Sequence, residues 1–226
     1  IINKSNIMGF YRGPNIVTDG LIFAVDAGSE RSYPGSGTTT TSLVGSNTGT
    51  LTNGVAFSTD NGGTWDFDGV DDYITASRAL STNNYSAEFV FNADVNTSGT
   101  EHWLGNQYQG SGRTIFDLYT NNRLRNFING TSINGATTIE TGTWYHAVFT
   151  RNSSGLAKIY LNGVQDATGT LSSVTPSDLA FEIGGDTTLT GRWFNGKIPL
   201  CRVYNKALTA AEVLQNYNAQ KSRFGL

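Results

Sequence analysis

The sequence predicts an all-β protein built as a sandwich of two antiparallel sheets, with one short helix near its C-terminus. Three observations predict this class. Apolar and polar residues alternate one by one in segments such as Trp65–Asp68 and Tyr85–Asn92, which is the pattern of a β-strand. Gly, Asn, Ser and Thr, which favour turns and strands, are abundant, with 27 Gly among 226 residues. Only one segment has helical spacing.

The strand segments differ in how many of their faces are apolar. In Trp144–Phe149 both faces carry large side chains, as expected of a strand that is covered on two sides. Lys158–Val164 holds Asn162–Gly163 between apolar flanks, and this pair tolerates the positive φ angles of a type I′ turn, so we predict a tight hairpin there. Asn129–Gly130 is a weaker example of the same signal.

The helix is predicted near the C-terminus. Thr209 and Glu212 form a capping box, in which each side chain satisfies a backbone N–H of the other residue, and the apolar spacing that follows predicts a helix over Ala210–Asn218. Ser32–Gly54 is rich in Gly, Ser and Thr and is interpreted as a long surface loop.

The chain is predicted to form one domain, at residues 19–226, preceded by an N-terminal arm or leader at residues 1–18. A single large β domain can reach this length without dividing. The first residues show little apolar periodicity, so three interpretations stay open for them: an arm that docks on a neighbouring subunit, another part of a larger chain, or a simple extended leader.

The charge balance argues against two classes of protein. Fifteen basic and eighteen acidic residues give a net charge of −3, without the basic excess or stripe that nucleic-acid binding requires. No apolar run approaches the roughly 18–20 residues that span a bilayer. We therefore expect no nucleic-acid partner and no membrane insertion.

Five sequence blocks occur in an order that resembles a known family, the laminin G-like (concanavalin A-like) lectin domains. The similarity covers roughly Asp19 to Asn218, and a capped helix follows the last block. The blocks are Gly20–Asp26 (GLIFAVD), Phe67–Ile74 (FDGVDDYI), Gly142–Arg151 (GTWYHAVFTR), Lys158–Gly163 (KIYLNG) and Gly196–Leu208. The resemblance implies an all-β, two-sheet antiparallel jelly-roll sandwich with one short C-terminal helix. Many relatives carry two acidic residues where this chain has Pro199 and Leu200, so any role of those acids is in doubt here.

The two ends of the chain are similar to versions of this domain in tailed bacteriophages. These are Gly9–Leu21, together with Tyr33–Gly37, and Gln215–Leu226. The resemblance implies a virion structural protein, such as a tail fibre or a capsid surface decoration, located on the extracellular particle. Its expected partners are other virion proteins and further copies of itself, and a lectin-like domain implies a host-surface glycan as a ligand.

Sugar binding needs an exposed aromatic ring to stack on the C–H face of the sugar and polar side chains to bond its hydroxyls. Two groups of residues have this composition, although core packing is the alternative for both tryptophans. The candidate residues are Trp103, Asn106, Gln107, Tyr108 and Arg113 in the first group and Arg192 and Trp193 in the second.

Arg123 and Arg125 flank Leu124 on one face of a predicted strand. They predict either a small anion or partner contact, or solvated residues that keep a strand from pairing edge to edge.

Asp68, Asp71 and Asp72 form the densest acidic cluster. Calcium binds several carboxylate oxygens, so a calcium site is one interpretation. The alternative, which we favour, is that these side chains cap the turn around Gly69 through local hydrogen bonds. The same two interpretations apply to Asp26. We expect no required cofactor, and calcium is the metal ion that the pattern would suit.

The sequence lacks the spacing of a glycoside hydrolase active site. Glucanase relatives carry Glu-x-Asp-x-Glu on one strand, whereas no Glu of this chain has an acidic residue two positions away. We therefore predict a non-catalytic protein. Two alternatives remain open: a purely structural assembly protein without a ligand, and a glycan-active hydrolase whose two carboxylates converge in a cleft from different strands.

Overall fold

The computed structural model describes residues 15–77, 80, 82–94, 100–107, 112–176, 180–189 and 191–226. These ranges contain sixteen strands, a short 3-10 turn at Asp60–Gly62 and one helix, α1 (Ala210–Phe224). The strands in chain order are β1 (Leu21–Asp26), β2 (Thr39–Thr41), β3 (Thr48–Thr52), β4 (Ala56–Ser58), β5 (Thr64–Asp68), β6 (Tyr73–Ala76), β7 (Tyr85–Ala93), β8 (His102–Gln107), β9 (Thr114–Leu118), β10 (Leu124–Ile128), β11 (Thr131–Asn134), β12 (Trp144–Arg151), β13 (Leu156–Leu161), β14 (Val164–Thr170), β15 (Phe181–Ile183) and β16 (Asn195–Tyr204).

The strands form two antiparallel sheets. The first sheet has the order β14-β13-β12-β7-β16-β5-β4, and β1 pairs with the second half of β16. The second sheet has the order β11-β10-β9-β8-β15-β6-β3-β2. This arrangement confirms the predicted two-sheet jelly-roll sandwich with a C-terminal helix.

Aromatic side chains from both sheets fill the space between them. Phe89 and Phe149 come from the first sheet, Phe116 and Phe181 from the second, and all four are fully buried. The ring centroids of Phe116 and Phe149 lie 5.0 Å apart. Close packing of this kind is what the alternation in the sequence predicts, because every second residue of a strand points to the same side.

Helix α1 covers the outer face of the first sheet. Its buried residues are Val213, Asn216 and Phe224, and the ring of Phe224 lies 5.0 Å from that of Trp144 on β12. The second sheet has no such helix on its outer face among the described residues. The outward face of the second sheet is therefore where a ligand can approach strand residues.

Two sequence predictions are corrected by the structure. The helix extends six residues beyond the predicted end at Asn218, because Phe224 provides a further apolar contact and Gly225 ends the helix with a left-handed φ of 69°. Ser32–Gly54 is not one long loop, since it contains β2 and β3. Threonine-rich segments form these strands, in keeping with the preference of β-branched residues for sheets.

Residues 1–14 of the predicted arm lie outside the described residues, so the division at residue 18 stays a prediction. Val17 is buried, and its backbone N–H donates to Asn216 Oδ1 of α1 at 2.8 Å. Within the described part of the chain, no helix has the length and apolar character needed to cross a membrane.

Candidate functional site

Strand pairing places three polar or aromatic residues side by side on the outer face of the second sheet. Trp103 of β8 lies opposite Asp117 of β9, and Asp117 lies opposite Arg125 of β10. Their neighbours Phe116 and Leu124 point the other way into the core. Because cross-strand partners share a face, the three side chains form one row across the sheet.

Arg125 is held in place by two carboxylates and one ring. Its Nε and Nη2 donate to the two carboxylate oxygens of Asp117 at 3.0 and 2.5 Å, and Nη2 also lies 3.1 Å from Glu101 Oε2. The guanidinium carbon lies 4.0 Å from the centre of the Tyr119 ring. Bidentate pairs of this kind fix the plane of a guanidinium and add geometric specificity.

Burial raises the pKa of Asp117 to about 7, against the opposing effect of the Arg125 guanidinium, while Glu101 adds to the rise. Burial acts in this direction because a low-dielectric environment disfavours the charged form of a carboxyl group. Burial alone would lower the pKa of Arg125, but the carboxyl groups of Asp117 and Glu101 outweigh this effect and raise it. Arg125 therefore remains charged.

A cavity of about 160 Å³ opens beside this row, and we call it the outer-face cavity. Glu101 links two sides of it, because its Oε2 accepts from Trp103 Nε1 at 3.0 Å and lies 3.2 Å from Arg192 Nε. The side chain of Arg192 is 35% exposed. The lining residues are Glu101, Trp103, Arg113, Ile115, Arg125, Phe127, Leu189 and Arg192.

Three residues from the two predicted groups meet in this cavity, namely Trp103, Arg113 and Arg192. Arg113 and Arg192 are both half-buried. Trp103, however, is fully buried, so of its two interpretations the packed one applies, and its ring is not exposed for stacking on a sugar. Its indole N–H bond to Glu101 instead fixes one of the charged groups of the cavity.

The other predicted sugar-binding residues lie elsewhere. Asn106 is fully buried, and its Nδ2 donates to the carbonyl of Gly185 at 2.5 Å. Gln107 is also buried. Trp193 is half-buried and stacks on Tyr73, with the ring centroids 5.9 Å apart and the planes at 27°, so it does not join Arg192 in the cavity. Tyr108 lies outside the described residues.

The sequence analysis missed four of the lining residues: Glu101, Ile115, Phe127 and Leu189. It named Arg125, but as an anion or partner contact or a solvated residue and not as part of a sugar site. Arg125 is only 7% exposed, so its interpretation as a solvated residue is wrong. No local signal identifies this set, because the residues come together through strand pairing and one loop. Alternation could have shown only that Ile115 shares a strand face with Asp117, and Arg125 with Phe127.

The acidic cluster comes together as predicted. One carboxylate oxygen from each of Asp68, Asp71 and Asp72 lies within 4.8 Å of the others. Asp68 Oδ1 accepts from the N–H of Val70 at 2.8 Å, and Asp72 Oδ2 accepts from the N–H of Asp68 at 3.1 Å. These are the turn-capping bonds that we favoured from the sequence. The cluster is also compatible with calcium, since it supplies oxygen ligands.

Burial raises the pKa of Asp72, and the nearby charges of Asp68 and Asp71 act in the same direction. A divalent cation would relieve that repulsion. Asp26 does not belong to this cluster, because its two oxygens bind Arg223 Nη1 of α1 at 2.8 and 2.9 Å. The interpretation of Asp26 as a metal ligand is therefore replaced by an ion pair that holds the end of the helix.

Comparison with protein families gives one match that covers most of the chain. The model of the concanavalin A-like lectin/glucanases superfamily matches residues 67–214. No curated protein matches the sequence.

Solved structures with the same fold include domains of several larger proteins. Domain 4 of an extracellular arabinanase from Geobacillus stearothermophilus, in complex with arabinotriose, is 20% identical, with a TM-score of 0.68 over 87% of this chain and 98% of that domain. Trypanosoma rangeli sialidase in complex with sialic acid is 15% identical, with a TM-score of 0.72 over 94% of this chain and 36% of the sialidase.

The binding domain of the Paraclostridial mosquitocidal protein 1 is 14% identical, with a TM-score of 0.70 over 88% of this chain and 52% of that domain. At these identities the similarity shows the fold. The chain thus spans about a third of the sialidase and half of the toxin domain.

Proposed function

Because this chain belongs to the concanavalin A-like lectin/glucanases superfamily, we propose that it is a carbohydrate-binding domain that acts without catalysis. The outer-face cavity is the binding site in this proposal. The ligand is a glycan on the surface of a host cell, and the domain serves attachment. The arabinanase domain crystallised with arabinotriose supports the carbohydrate part, since 98% of that domain is matched by this chain.

One observation carries the proposal: the cavity combines guanidinium donors with an apolar wall on the face that α1 leaves open. Arg113 and Arg192 can donate to sugar oxygens, while Phe127 and Leu189 can cover the C–H face of a ring. At about 160 Å³ the cavity is smaller than the roughly 300–1,000 Å³ of sites that enclose a drug-sized ligand. We expect it to hold one sugar unit of a longer glycan.

Both carboxyl groups near the cavity are already paired with neighbouring side chains, which favours binding over hydrolysis. A glycosidase needs one carboxyl group to donate a proton and another to act as base or nucleophile. Here Asp117 is fully buried and paired with both nitrogens of one edge of Arg125, and Glu101 accepts from Trp103 and pairs with Arg125 and Arg192. Groups held in this way position the arginines and are poorly placed to exchange protons with a substrate.

A glycan-active hydrolase is the second candidate, and a specific observation favours it. Glu101, just before β8, and Asp117 of β9 both contact Arg125 Nη2, so two carboxyl groups converge beside a cavity. The pKa of Asp117, raised to about 7, would suit a general acid. Mass spectrometry of a glycan after prolonged incubation separates the candidates: an intact glycan supports binding, and shortened products that disappear in Asp117→Asn support hydrolysis.

We further propose that the domain is carried on a virion, as part of a tail fibre or as a capsid decoration, where it contacts other virion proteins and copies of itself. The similarity of the two ends of the chain to phage versions supports this placement. Immunogold labelling of purified particles with an antibody to the domain tests it. Labelled intact particles are expected, and particles without label would contradict the placement.

The binding proposal is tested on an array of bacterial surface polysaccharides. We expect Phe127→Ala to weaken binding about tenfold, because loss of an apolar contact worth about 1.4 kcal/mol changes an affinity by that factor. Leu156→Ala is the matched control, since it removes an exposed apolar side chain from the other sheet. If the wild type binds no glycan, the proposal fails and the purely structural alternative is favoured.

A further inference from the structure

Charged side chains are prominent in the lining of the outer-face cavity. Three arginines (Arg113, Arg125 and Arg192) line it. Two carboxyl groups, Glu101 in the lining and Asp117 beneath Arg125, contact Arg125. The chain as a whole has a net charge of −3, so this concentration of arginines is a local feature of the cavity.

The arginines are not equivalent. The side chain of Arg125 is only 8% exposed. Its donors are engaged by the bidentate pair with Asp117 and by the contact with Glu101. Arg192 has a 35% exposed side chain, and its Nε pairs with Glu101. Among the described residues, the two terminal nitrogens of Arg192 have no hydrogen-bond partner. A guanidinium offers five N–H donors, so Arg192 can bind a further oxyanion with both terminal nitrogens.

Glu101 fixes the direction in which Arg192 presents those nitrogens. Its Oε2 accepts from the buried indole of Trp103 and pairs with both Arg125 and Arg192. Because the carboxylate is anchored from three sides, Nε of Arg192 is held on it and the remaining edge of the guanidinium is positioned in advance. Donors positioned in advance bind an anion with less loss of side-chain entropy.

The apolar part of the cavity limits the kind of anion. Ile115, Phe127 and Leu189 line it beside the arginines, and a free inorganic ion would gain nothing from these side chains. A sugar that carries a carboxylate or a sulfate has both an apolar C–H face and an oxyanion. The chemistry of the lining matches such a ligand on both counts.

We propose that the outer-face cavity binds the oxyanion of an acidic sugar, a carboxylate or a sulfate, with Arg192 as its main donor. This inference rests on the proposed carbohydrate-binding function and specifies the class of glycan. A neutral sugar would leave the edge of Arg192 to water. An acidic sugar forms a charge-assisted bidentate pair with it.

The test uses glycans in matched pairs: glycans bearing uronic acid, sialic acid or sulfate, each beside its carboxyl-reduced or desulfated counterpart. Affinities are measured at constant ionic strength for the wild type, for Arg192→Gln, and for Arg31→Gln, a matched control at an exposed residue in the turn after β1. We expect the acidic member of a pair to bind at least about tenfold more tightly than the neutral one. Arg192→Gln should abolish that difference, and Arg31→Gln should keep it.

The failures of the two proposals are distinguishable. Equal binding of acidic and neutral members, unaffected by Arg192→Gln, would overturn this inference and leave the proposed function intact. Absence of binding to every glycan would overturn the proposed function. In that case titration with sodium sulfate, at constant ionic strength set with chloride, decides the anion site. A shift of the Arg192 Nε–Hε resonance would support it, and an unchanged resonance would overturn it as well.

Discussion

At the scale of single residues, the most consequential side chain outside the cavity is Glu88, a fully buried carboxylate beneath α1. It accepts hydrogen bonds from Arg202 Nη1 at 2.5 Å, His146 Nε2 at 3.1 Å and Asn216 Nδ2 at 2.7 Å. Burial would raise its pKa, but Arg202 and His146 together lower it to about 2. A buried charge is tolerated when it is paired in this way.

Glu88→Gln is expected to lower the free energy of unfolding at pH 7 by about 3–5 kcal/mol, because it leaves Arg202 buried without its counter-charge. The pH dependence should change too. The pKa of Glu88 lies near 2 in the folded protein, below the ordinary value of 4.5. Its contribution is therefore complete above pH 4.5 and lost as the pH falls towards 2, and it amounts to about 3 kcal/mol. Urea unfolding at pH 7, 4.5 and 2.5 measures both effects.

The exposed Glu30→Gln serves as the control for this prediction. It removes one carboxylate without touching the buried cluster, and it should behave like the wild type. If Glu88→Gln showed the same loss of stability between pH 4.5 and pH 2.5 as the wild type, the paired-carboxylate account would be contradicted.

Sequence patterns predicted the burial of single residues correctly where alternation along a strand shows which side chains face the core. Trp65 and Phe67 of the alternating segment Trp65–Asp68 are buried, and Tyr145–Phe149 is buried on both faces, as the sequence predicted. For Trp103 the sequence left a packed and a sugar-stacking interpretation open, because alternation shows which residues share a face and gives no information on what covers that face. Its burial depends on pairing with β9 and on the loop that carries Leu189 and Arg192.

At the scale of elements, the turns between strands rely on residues with positive φ. The predicted hairpin at Asn162–Gly163 is confirmed, with φ angles of 49° and 81° between β13 and β14. Asn129–Gly130 forms a similar turn between β10 and β11, with φ of 45° and 89°. Both turns have the left-handed backbone of type I′ hairpins.

Gly155 and Gly130 provide a matched test of what such turns contribute. Their φ angles, 87° and 89°, are nearly the same, so alanine should cost each about 1–2 kcal/mol in backbone strain. A Cβ at Gly155 would lie 2.6 Å from the backbone oxygen of Leu171, whereas a Cβ at Gly130 would meet nothing within 4 Å. Gly155→Ala should therefore lose about 1–3 kcal/mol more than Gly130→Ala, measured by urea unfolding. Equal losses would show that the close approach to Leu171 has no energetic weight.

Elements were predictable from the sequence where they begin with a defined signal. The capping box of Thr209 and Glu212 is present and marks the start of α1 correctly. The end of α1 was missed because no large apolar residue continues the pattern between Tyr217 and Phe224. Strands β2 and β3 were missed because their Thr and Gly residues resemble a loop in composition, and their pairing with each other and with β6 establishes them as strands.

At the scale of the whole molecule, the two sheets have different outer surroundings. The first sheet is covered by α1, which packs on buried polar and apolar residues. The second sheet carries the outer-face cavity, built from β8, β9, β10 and the loop before β16. The sequence predicted the sandwich and three of the residues that line this cavity, Trp103, Arg113 and Arg192. It could not predict which of the candidate residues meet, because that depends on the register between strands far apart in the chain.

The most direct test of the central claim is a two-dimensional spectrum of the indole N–H groups during titration with the glycan selected on the array. The protein has four tryptophans, and Trp103 is the only one of them among the described residues that line the cavity. Trp103→Phe assigns its signal. The proposal predicts that the Trp103 indole resonance shifts saturably, because its hydrogen bond to Glu101 responds to a ligand on Arg192, while the Trp65 and Trp144 resonances stay in place. A saturable shift of Trp144 with Trp103 unchanged would place the ligand on the other sheet and contradict the account.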